Sequence, residues 1–437
     1  MKQFLKLPLH TAIVLALTGC GGSSSDESSS GNQGLGDGGA SDLQTISLKA
    51  RNYSFRCSDV PYQADIVFHA ENGSPIGFAK TNEEGVFSDT VPKGTKHISI
   101  LGETVEDAEK YTFISSELDI EGRSNLGTFS FFDPSLNCSC EDYQLDTSQL
   151  GSISYDYTLG LDNGTTLGDT YSVCPEDNKL YIQAKSKYGY DAKAAIIEIP
   201  KNSNTIEIKE SDFIHQGVEV LADYNPYIDY TSTRGYFLEE HQYHLIDFSF
   251  LSNSEYLYVF PSATEHNFHV QVNSESQSIE SGTMRTTSYA RSRVDNDGSF
   301  ELTALPEISN EIGDSLLNFL SSSDLNYDFS SADSRFARVY WSFSFLVDDA
   351  AATRFDWQIS GGIRGEIPDL SFGSVFAEPV ADVTAEKVNI LLYGYAGNNT
   401  DKQTYEQLLE TIAEGGHLAN PKFSNYVYLS IDAAINR

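Results

Sequence analysis

The sequence predicts a mainly β fold of tandem antiparallel β-sandwich domains with a few covering helices. Aromatic residues are plentiful, with 25 Tyr and 25 Phe among 437 residues, a balance that favours strands. In "YWSFSFLV", residues 340–347, alternation places Trp341, Phe343, Phe345 and Val347 on one face, and "LIDFSF" at 245–250 alternates in the same way. Asn72-Gly73 lies between two short apolar runs and predicts a hairpin turn.

The first 20 residues have the order of an export signal. Lys2 and Lys6 form a basic start, and an apolar run of secretory length follows from Leu7 to Leu17. The ending Leu17-Thr18-Gly19-Cys20 resembles the lipobox of bacterial lipoproteins. That resemblance implies cleavage before Cys20 and acylation of Cys20, and several acyl chains together hold a protein on a membrane. Gly21 in place of Asp favours the outer membrane, on its periplasmic or its surface face.

Residues 21–42 are mostly Gly, Ser and Asp, and such a chain cannot bury enough apolar area to fold, so we expect a flexible tether. The whole chain contains 28 Lys and Arg against 63 Asp and Glu, a formal charge of −35. Because proteins bind nucleic-acid phosphates through Lys and Arg, DNA and RNA are excluded as expected partners.

Two segments share an acidic turn, a Gly-x-Phe and a later proline. They are "TNEEGVFSDTVP" at 81–92 and "VDNDGSFELTALP" at 294–306. We expect a positive φ at Gly85 and Gly298, with Phe87 and Phe300 pointing into the core. Residues 45–132 here resemble the carboxypeptidase regulatory-like domains, which are transthyretin-like or immunoglobulin-like sandwiches. The resemblance implies a non-catalytic spacer or binding module.

Two segments have helical periodicity. Residues 400–416, "TDKQTYEQLLETIAEGG", carry a capping box at Thr400 and Gln403 and a stop at Gly415, while residues 309–320 are a weaker case. Taken together, the patterns along the chain predict five segments. They are a signal peptide at 1–19, a lipidated tether at 20–42, a regulatory-like sandwich at 43–136, a second disulfide-bearing β domain at 137–222 and a β-rich C-terminal domain with a C-terminal helix at 223–437.

Four cysteines remain after Cys20: Cys57, Cys138, Cys140 and Cys174. An even number in an exported protein predicts two disulfides. Cys138 and Cys140 are too close to pair with each other comfortably. The pairing is therefore either Cys57–Cys138 with Cys140–Cys174, or Cys57–Cys140 with Cys138–Cys174.

Tyrosines cluster in the loop-like segment "YNPYIDYTSTRGYF" at Tyr224, Tyr227, Tyr230 and Tyr236. Exposed rings there would form a platform that stacks on sugar faces or on another protein. The alternative is that these tyrosines cap sandwich edges.

Histidines and acids give two candidate metal sites. His241 and His266 would meet if the segments around His241/His244 and His266/His269 paired as a hairpin; otherwise these are surface histidines. Asp295, Asp297 and Glu301 resemble part of a calcium loop and would bind Ca²⁺ weakly, whereas the alternative is an acidic turn bonded to its own backbone. We expect no other cofactor.

The sequence contains no Gly-x-Ser-x-Gly elbow, phosphate loop or dinucleotide fingerprint. The expected function is therefore that of an outer-membrane lipoprotein that binds, adheres or assembles without catalysis, with an extracellular polysaccharide or another envelope protein as partner. The alternative is a hydrolytic, for example glycan-acting, enzyme with its site in the C-terminal half.

Overall fold

The protein is mainly β in the computed structural model, with mostly antiparallel sheets and little helix. The structure describes residues 44–54, 60–106, 109–136, 138–151, 155–159, 167–175, 178–187, 191–220, 228–239, 242–251, 256–279, 282–303, 325–347, 353–376, 383–395, 402–413 and 426–435.

The N-terminal part is a two-layer sandwich. Its strands are β1 (Thr45–Tyr53), β2 (Val60–Pro61), β3 (Asp65–His69), β4 (Pro75–Lys80), β5 (Val86–Thr90), β6 (His97–Glu106), β7 (Glu109–Glu117) and β8 (Asn125–Phe132). One layer has the order β2-β1-β5, with β8 parallel to β1, and the other has the order β4-β3-β6-β7. Alternate residues such as Leu48, Ile66, Ile100 and Phe131 fill the space between the layers.

The middle part consists of short strands: β9 (Glu141–Gln149), β10 (Tyr155–Leu159), β11 (Thr170–Val173), β12 (Lys179–Ser186), β13 (Ala192–Glu198), β14 (Thr205–Lys209), β15 (His215–Gln216) and β16 (Val218–Val220). All of them except β16 form the sheets β10-β12-β13-β15 and β11-β9-β14 around their own core. Of the two pairings that the sequence leaves open, the structure contains the Cys140–Cys174 bond, which closes the end of the β9–β11 ladder. Cys138 is also disulfide-bonded, whereas Cys57 lies outside the described residues.

The C-terminal part contains the longest strands. They are β17 (Tyr230–Glu239), β18 (Gln242–Leu251), β19 (Leu257–Val259), β20 (His266–Ile279), β21 (Gly282–Val294), β22 (Asn326–Asp328), β23 (Phe336–Val347), β24 (Arg354–Gly362), β25 (Arg364–Glu366), β26 (Val383–Tyr395) and β27 (Tyr426–Ile435). The predicted C-terminal helix is confirmed as α1 (Lys402–Ala413). The predicted helix at 309–320 lies outside the described residues.

One sheet runs from the C-terminal part into the N-terminal sandwich. Its order is β18-β17-β20-β21-β27-β26-β23-β24-β7-β6-β3-β4, and β24 pairs with β7 in parallel from Phe355 opposite Thr112 to Ser360 opposite Glu117. The largest core lies on one face of this sheet and continues across the junction, since Ile114 of β7 belongs to the same cluster as Trp341 of β23. The two parts therefore share one sheet and one core.

Local patterns in the sequence explain the buried face of β23 and the β3–β4 hairpin. Trp341, Phe343, Phe345 and Val347 are all buried on the core face of β23, as alternation predicts. The β3–β4 hairpin forms at Asn72-Gly73, where Gly73 has φ +84°. A Cβ atom on Gly73 would lie 2.1 Å from the Asp369 carbonyl oxygen, so only glycine fits this close approach.

Gly85 and Gly298 have the positive φ that their turns predict, +66° and +85°. Phe87 packs against the core of the N-terminal sandwich, and Phe300 packs against a small cluster that contains Val294. Both acidic turns thus place an aromatic ring on a core, as expected.

Buried charges join the two parts at the junction. Glu117 accepts a hydrogen bond from Arg123 at 3.0 Å and another from Arg338 of β23 at 2.6 Å, and all three side chains are less than one tenth exposed. Arg338 also donates to the Ser360 hydroxyl. On the same side of the molecule, α1 contacts β8: Glu410 accepts a bond from the Ser124 amide, and the Ala413 carbonyl accepts one from Asn125.

We expect Glu117→Ala to be severely destabilising, because it leaves two buried guanidinium groups without their shared carboxylate. Breaking a buried ion pair costs about 3–5 kcal/mol. The measurement is the free energy of unfolding in urea. The control is Glu103→Ala, which removes an exposed partner of Lys110 and is expected to cost under about 1 kcal/mol. Equal effects of the two variants would contradict the buried network.

Three histidines among the described residues are buried. His69 lies in a directed hydrogen-bond chain: Trp357 donates to Ser116, the Ser116 and Ser99 hydroxyls are 2.7 Å apart, and Ser99 lies 2.9 Å from His69 Nε2. His69 Nδ1 donates to the Gly73 carbonyl, which fixes the neutral tautomer. Burial lowers the pKa of His69 to about 4 and also lowers the pKa of His97.

His269 is the third, and it is fully buried with its ring stacked on Phe300 at 4.1 Å. Neither of its ring nitrogens has a hydrogen-bond partner in the part of the chain that the structure describes. Burial lowers the pKa of His269 to about 4. A histidine in the unfolded chain has a pKa near 6.5. As the pH falls below this value, the unfolded chain therefore binds a proton that the folded protein does not bind, and the folded state loses stability.

We expect His269→Phe to reduce this acid sensitivity while keeping the ring contact with Phe300. One group with these two pKa values costs about 2 kcal/mol on going from pH 8 to pH 5. The measurement is urea unfolding of both proteins at pH 8 and pH 5, where pH 8 gives the packing change alone. The variant should lose about 2 kcal/mol less than the parent protein. An equal loss in both would show that His269 does not titrate as its burial implies.

Candidate functional site

The predicted tyrosine platform is only partly within the described residues. Tyr224 and Tyr227 lie outside them, and Tyr230 belongs to β17 with a side chain that is not described. Tyr236 differs from the prediction, because its side chain is only 4% exposed and contacts Phe268 edge to face at 5.9 Å. Its strand is paired on both sides, with β18 and β20, and this pairing buries a ring that the sequence pattern placed in a loop.

The predicted histidine site is not assembled by the described residues. His241 lies outside them, and the side chain of His244 is not described. His266 is half-buried, and burial lowers its pKa. His269 is buried, so the prediction that it lies on the surface was wrong. No group of three His, Cys, Asp or Glu side chains among the described residues could hold a metal ion.

The acidic loop has the geometry of a turn. Asp297 Oδ1 accepts bonds from the amide and the hydroxyl of Ser299, and these bonds lower the pKa of Asp297, whereas Asp295 and Glu301 are exposed. The same Asp-x-Ser contact recurs at the ends of β8 and β22, at Asp133 and Asp328, and within β9 at Asp146. This recurrence identifies the contact as a general turn motif, and calcium binding by the loop stays a prediction.

The predicted signal peptide, Cys20 and the tether lie outside the described residues. Within the described part, no helix combines the length and the apolar character needed to cross a membrane.

A groove of about 470 Å³ lies on the long sheet, on the face opposite the main core. This volume is in the range of small-ligand sites. The side chains that line it come from four strands and are polar or aromatic except for Leu391: Arg234 of β17, Thr287 and Tyr289 of β21, Asn389 and Leu391 of β26, and Tyr426, Tyr428 and Ser430 of β27.

The register of the strands arranges this lining in rows across the sheet. The middle row is Leu391, Ser430 and Thr287, and two of its three side chains are short. The row on one side is Tyr393, Tyr428 and Tyr289, and the row on the other side is Asn389, Asp432 and Arg285. The short side chains of Ser430 and Thr287 lie beside the row of large tyrosine rings, which leaves the surface hollow here.

The tyrosine row is rigid and uncharged. The rings of Tyr289 and Tyr428 stack with centroids 4.5 Å apart, and Tyr426 contacts both. Burial raises the pKa of Tyr393 to about 12 and that of Tyr426 well above its usual range, so both phenols stay neutral. The buried Arg291 guanidinium lies over the Phe268 ring and near the Tyr426 ring, supporting this wall from one end.

The opposite wall is held by hydrogen bonds between side chains. Asn389 Nδ2 donates to Ser430 Oγ at 3.0 Å and to Asp432 Oδ1 at 2.8 Å. Asn389, Ser430 and Asp432 are all partly exposed. These bonds fix the plane of the Asn389 amide, so a polar ligand meets groups that are already oriented.

Sequence reasoning missed this groove. Its walls come from segments that are distant in the sequence, around Tyr289 and Tyr428, and no local motif joins them. A signal was present in "LLYGY" and "YVYLS", at 391–395 and 426–430, where tyrosines alternate with the residues that face the core. Such alternation predicts an aromatic row on the outer face of a sheet.

The chain was compared with protein-family models, with curated proteins and with solved structures, and it matches none of them. The similarity of residues 45–132 to carboxypeptidase regulatory-like domains, and that of residues 17–20 to a lipobox, therefore stay predictions from the sequence.

Proposed function

We propose that the protein is an outer-membrane-anchored lipoprotein that binds an extracellular polysaccharide without catalysis. The anchor is proposed from the apolar run that ends at Cys20 and from the Gly- and Ser-rich segment that follows it. A tether of this composition would carry the folded part away from the lipid surface. The binding site is proposed at the groove of the C-terminal sheet.

The observation that carries this proposal is the pairing of an aromatic wall with a polar wall. Sugars present C–H faces, which pack on aromatic rings, and hydroxyl edges, which exchange hydrogen bonds with amides and hydroxyls. Tyr428 supplies a partly exposed ring, and Asn389 and Ser430 supply an oriented amide and hydroxyl on the other side.

The chemistry of the described groove supports binding in place of hydrolysis. Glycoside hydrolysis generally uses a pair of carboxylates that flank the scissile bond. Beside the groove the structure describes the carboxylate of Asp432, and this group accepts hydrogen bonds from Asn389 and Ser430. The lining groups are ones that hold and orient a ligand.

The anchor is tested by Cys20→Ala. We expect the parent protein to fractionate with outer membranes and to carry a lipid mass on its N-terminal peptide. The variant should lose that mass and leave the outer-membrane fraction, while Ser23→Ala in the same tether should behave like the parent protein. An unmodified Cys20 thiol in the native protein, measured by mass spectrometry, would contradict the anchor.

Binding is tested by retention on a panel of insoluble probes: cellulose, chitin, mannan and purified exopolysaccharide of the producing cell. Leu391→Trp fills the groove, and Tyr428→Ala removes one aromatic ring from its wall. Either variant should reduce retention about tenfold, because each loses one stacking contact together with its hydrogen bond. The control is Phe78→Ala, which removes an exposed ring from β4 at the far end of the sheet.

Three outcomes would contradict the proposed function. One is that the groove variants are folded, as circular dichroism shows, and are retained on the polysaccharide as strongly as the parent protein. Another is release of reducing ends from a bound polysaccharide, which would favour the hydrolytic alternative. The last is binding of another envelope protein in the absence of any polysaccharide binding.

A further inference from the structure

The groove on the C-terminal sheet carries positive charge in its lining. Among the eight described residues that line it, Arg234 is the one that is charged at neutral pH, and none of the eight is an acid. Arg234 is half-buried, so water screens its charge less than it screens a fully exposed one. The lining therefore favours a ligand with a negative charge over an uncharged one of the same shape.

The charge of the groove differs between its two ends. In the sheet order β17-β20-β21-β27-β26, Arg234 is on the first of these strands and Asn389 on the last, about 19 Å apart at the backbone for four strand spacings. Asn389 is bonded to the Asp432 carboxylate, which places a negative charge beside the far end. A ligand with a negative charge is therefore held with that charge at the Arg234 end.

Two further arginines lie close to Arg234. Phe268 of β20 is directly opposite Arg234 of β17 on one side and Arg293 of β21 on the other, so these three side chains share one face of the sheet. The buried Arg291 guanidinium lies over the Phe268 ring, 4.3 Å from its centroid. Three cations thus gather around one ring in a chain whose formal charge is −35.

The guanidinium groups of Arg291 and Arg234 repel each other. Burial lowers the pKa of Arg291, and the positive charge of Arg234 also lowers it. An anion bound beside the two groups lessens this repulsion and is attracted by both. A guanidinium has five N–H donors in a planar fork, so Arg234 can bind an oxyanion with two of them and keep other bonds within the protein.

The acidic surface of the remaining protein does not cancel this local attraction. At physiological ionic strength, salt screens charges beyond about 8 Å. A group that touches Arg234 therefore responds mainly to the arginines around Phe268 and only weakly to distant carboxylates.

From these contacts we infer that the groove binds an acidic polysaccharide, and that an oxyanion on one of its sugar residues, a carboxylate or a sulfate ester, pairs with Arg234. Neighbouring sugar residues would pack on the Tyr428 ring and bond to Asn389 and Ser430. This inference rests on the proposed function and deepens it, because it assigns the charge of the ligand and the residue that selects for it.

The test is calorimetric titration of the full-length protein, in an uncharged detergent, with tetrasaccharides. The acidic probes are oligogalacturonate, oligomannuronate and a sulfated galactose oligomer, and each is compared with its uncharged counterpart, the methyl ester or the desulfated sugar. A hydrogen bond to a charged group adds roughly ten- to a hundredfold in affinity. We therefore expect one acidic probe or more to bind at least about tenfold more tightly than its counterpart, with a ratio that falls as salt is added.

Variants of Arg234 test whether this residue is the source of the preference. Arg234→Gln should reduce the ratio to below about threefold, while Arg234→Lys keeps the charge without the planar fork and should give an intermediate ratio. The matched control is Arg285→Gln, which makes the same change of charge at an exposed residue of β21 that lies opposite Asp432 and outside the groove lining. It should leave the ratio unchanged.

Several results would overturn the inference while the proposed function stood. One is that every uncharged tetrasaccharide binds as tightly as its acidic partner. Another is that folded Arg234→Gln and Arg234→Lys variants keep the full preference for the acidic probes. A third is retention on a polysaccharide with no measurable binding of any acidic tetrasaccharide. Loss of all polysaccharide retention would instead contradict the proposed function itself.

Discussion

Ser360 of β24 lies opposite Glu117 of β7, and Arg338 of the neighbouring strand binds the Glu117 carboxylate. This parallel pairing joins two parts that local sequence patterns present as separate domains. Without it, β7 and β24 would each expose an unpaired sheet edge, and the shared core around Ile114 and Trp341 would be opened to water. The buried ion pairs also fix the register, since a slip by one residue would move Glu117 to the opposite face.

The sheet that results has two faces with different chemistry. Trp341, Ile390 and Leu429 pack on one face as part of the main core. The residues next to them in sequence, such as Asn389, Tyr428 and Ser430, therefore point to the other face, where they form the groove. The groove is rigid because its floor is a sheet whose opposite face is packed, and rigid elements keep binding groups in place better than loops do.

Local features of the structure could be predicted from the sequence, while distant pairings could not. The β3–β4 hairpin, the buried face of β23 and helix α1 follow from turn residues and periodicity within one segment. The β7–β24 pairing joins segments more than 240 residues apart and has no local signal. Tyr236 and His269 were misjudged for the same reason, because their burial is decided by which strands lie beside them. The groove likewise exists only once β21, β26 and β27 are in register.

The central claim is that the N-terminal sandwich and the C-terminal sheet form one structure through β7 and β24. Native-state hydrogen exchange tests it most directly, by comparing the amides of Phe113–Glu117 with those of Asp356–Ser360 as denaturant is added. One shared structure predicts that both sets open with the same free energy and the same denaturant dependence. Early exchange of β7 with β24 still protected would contradict the account.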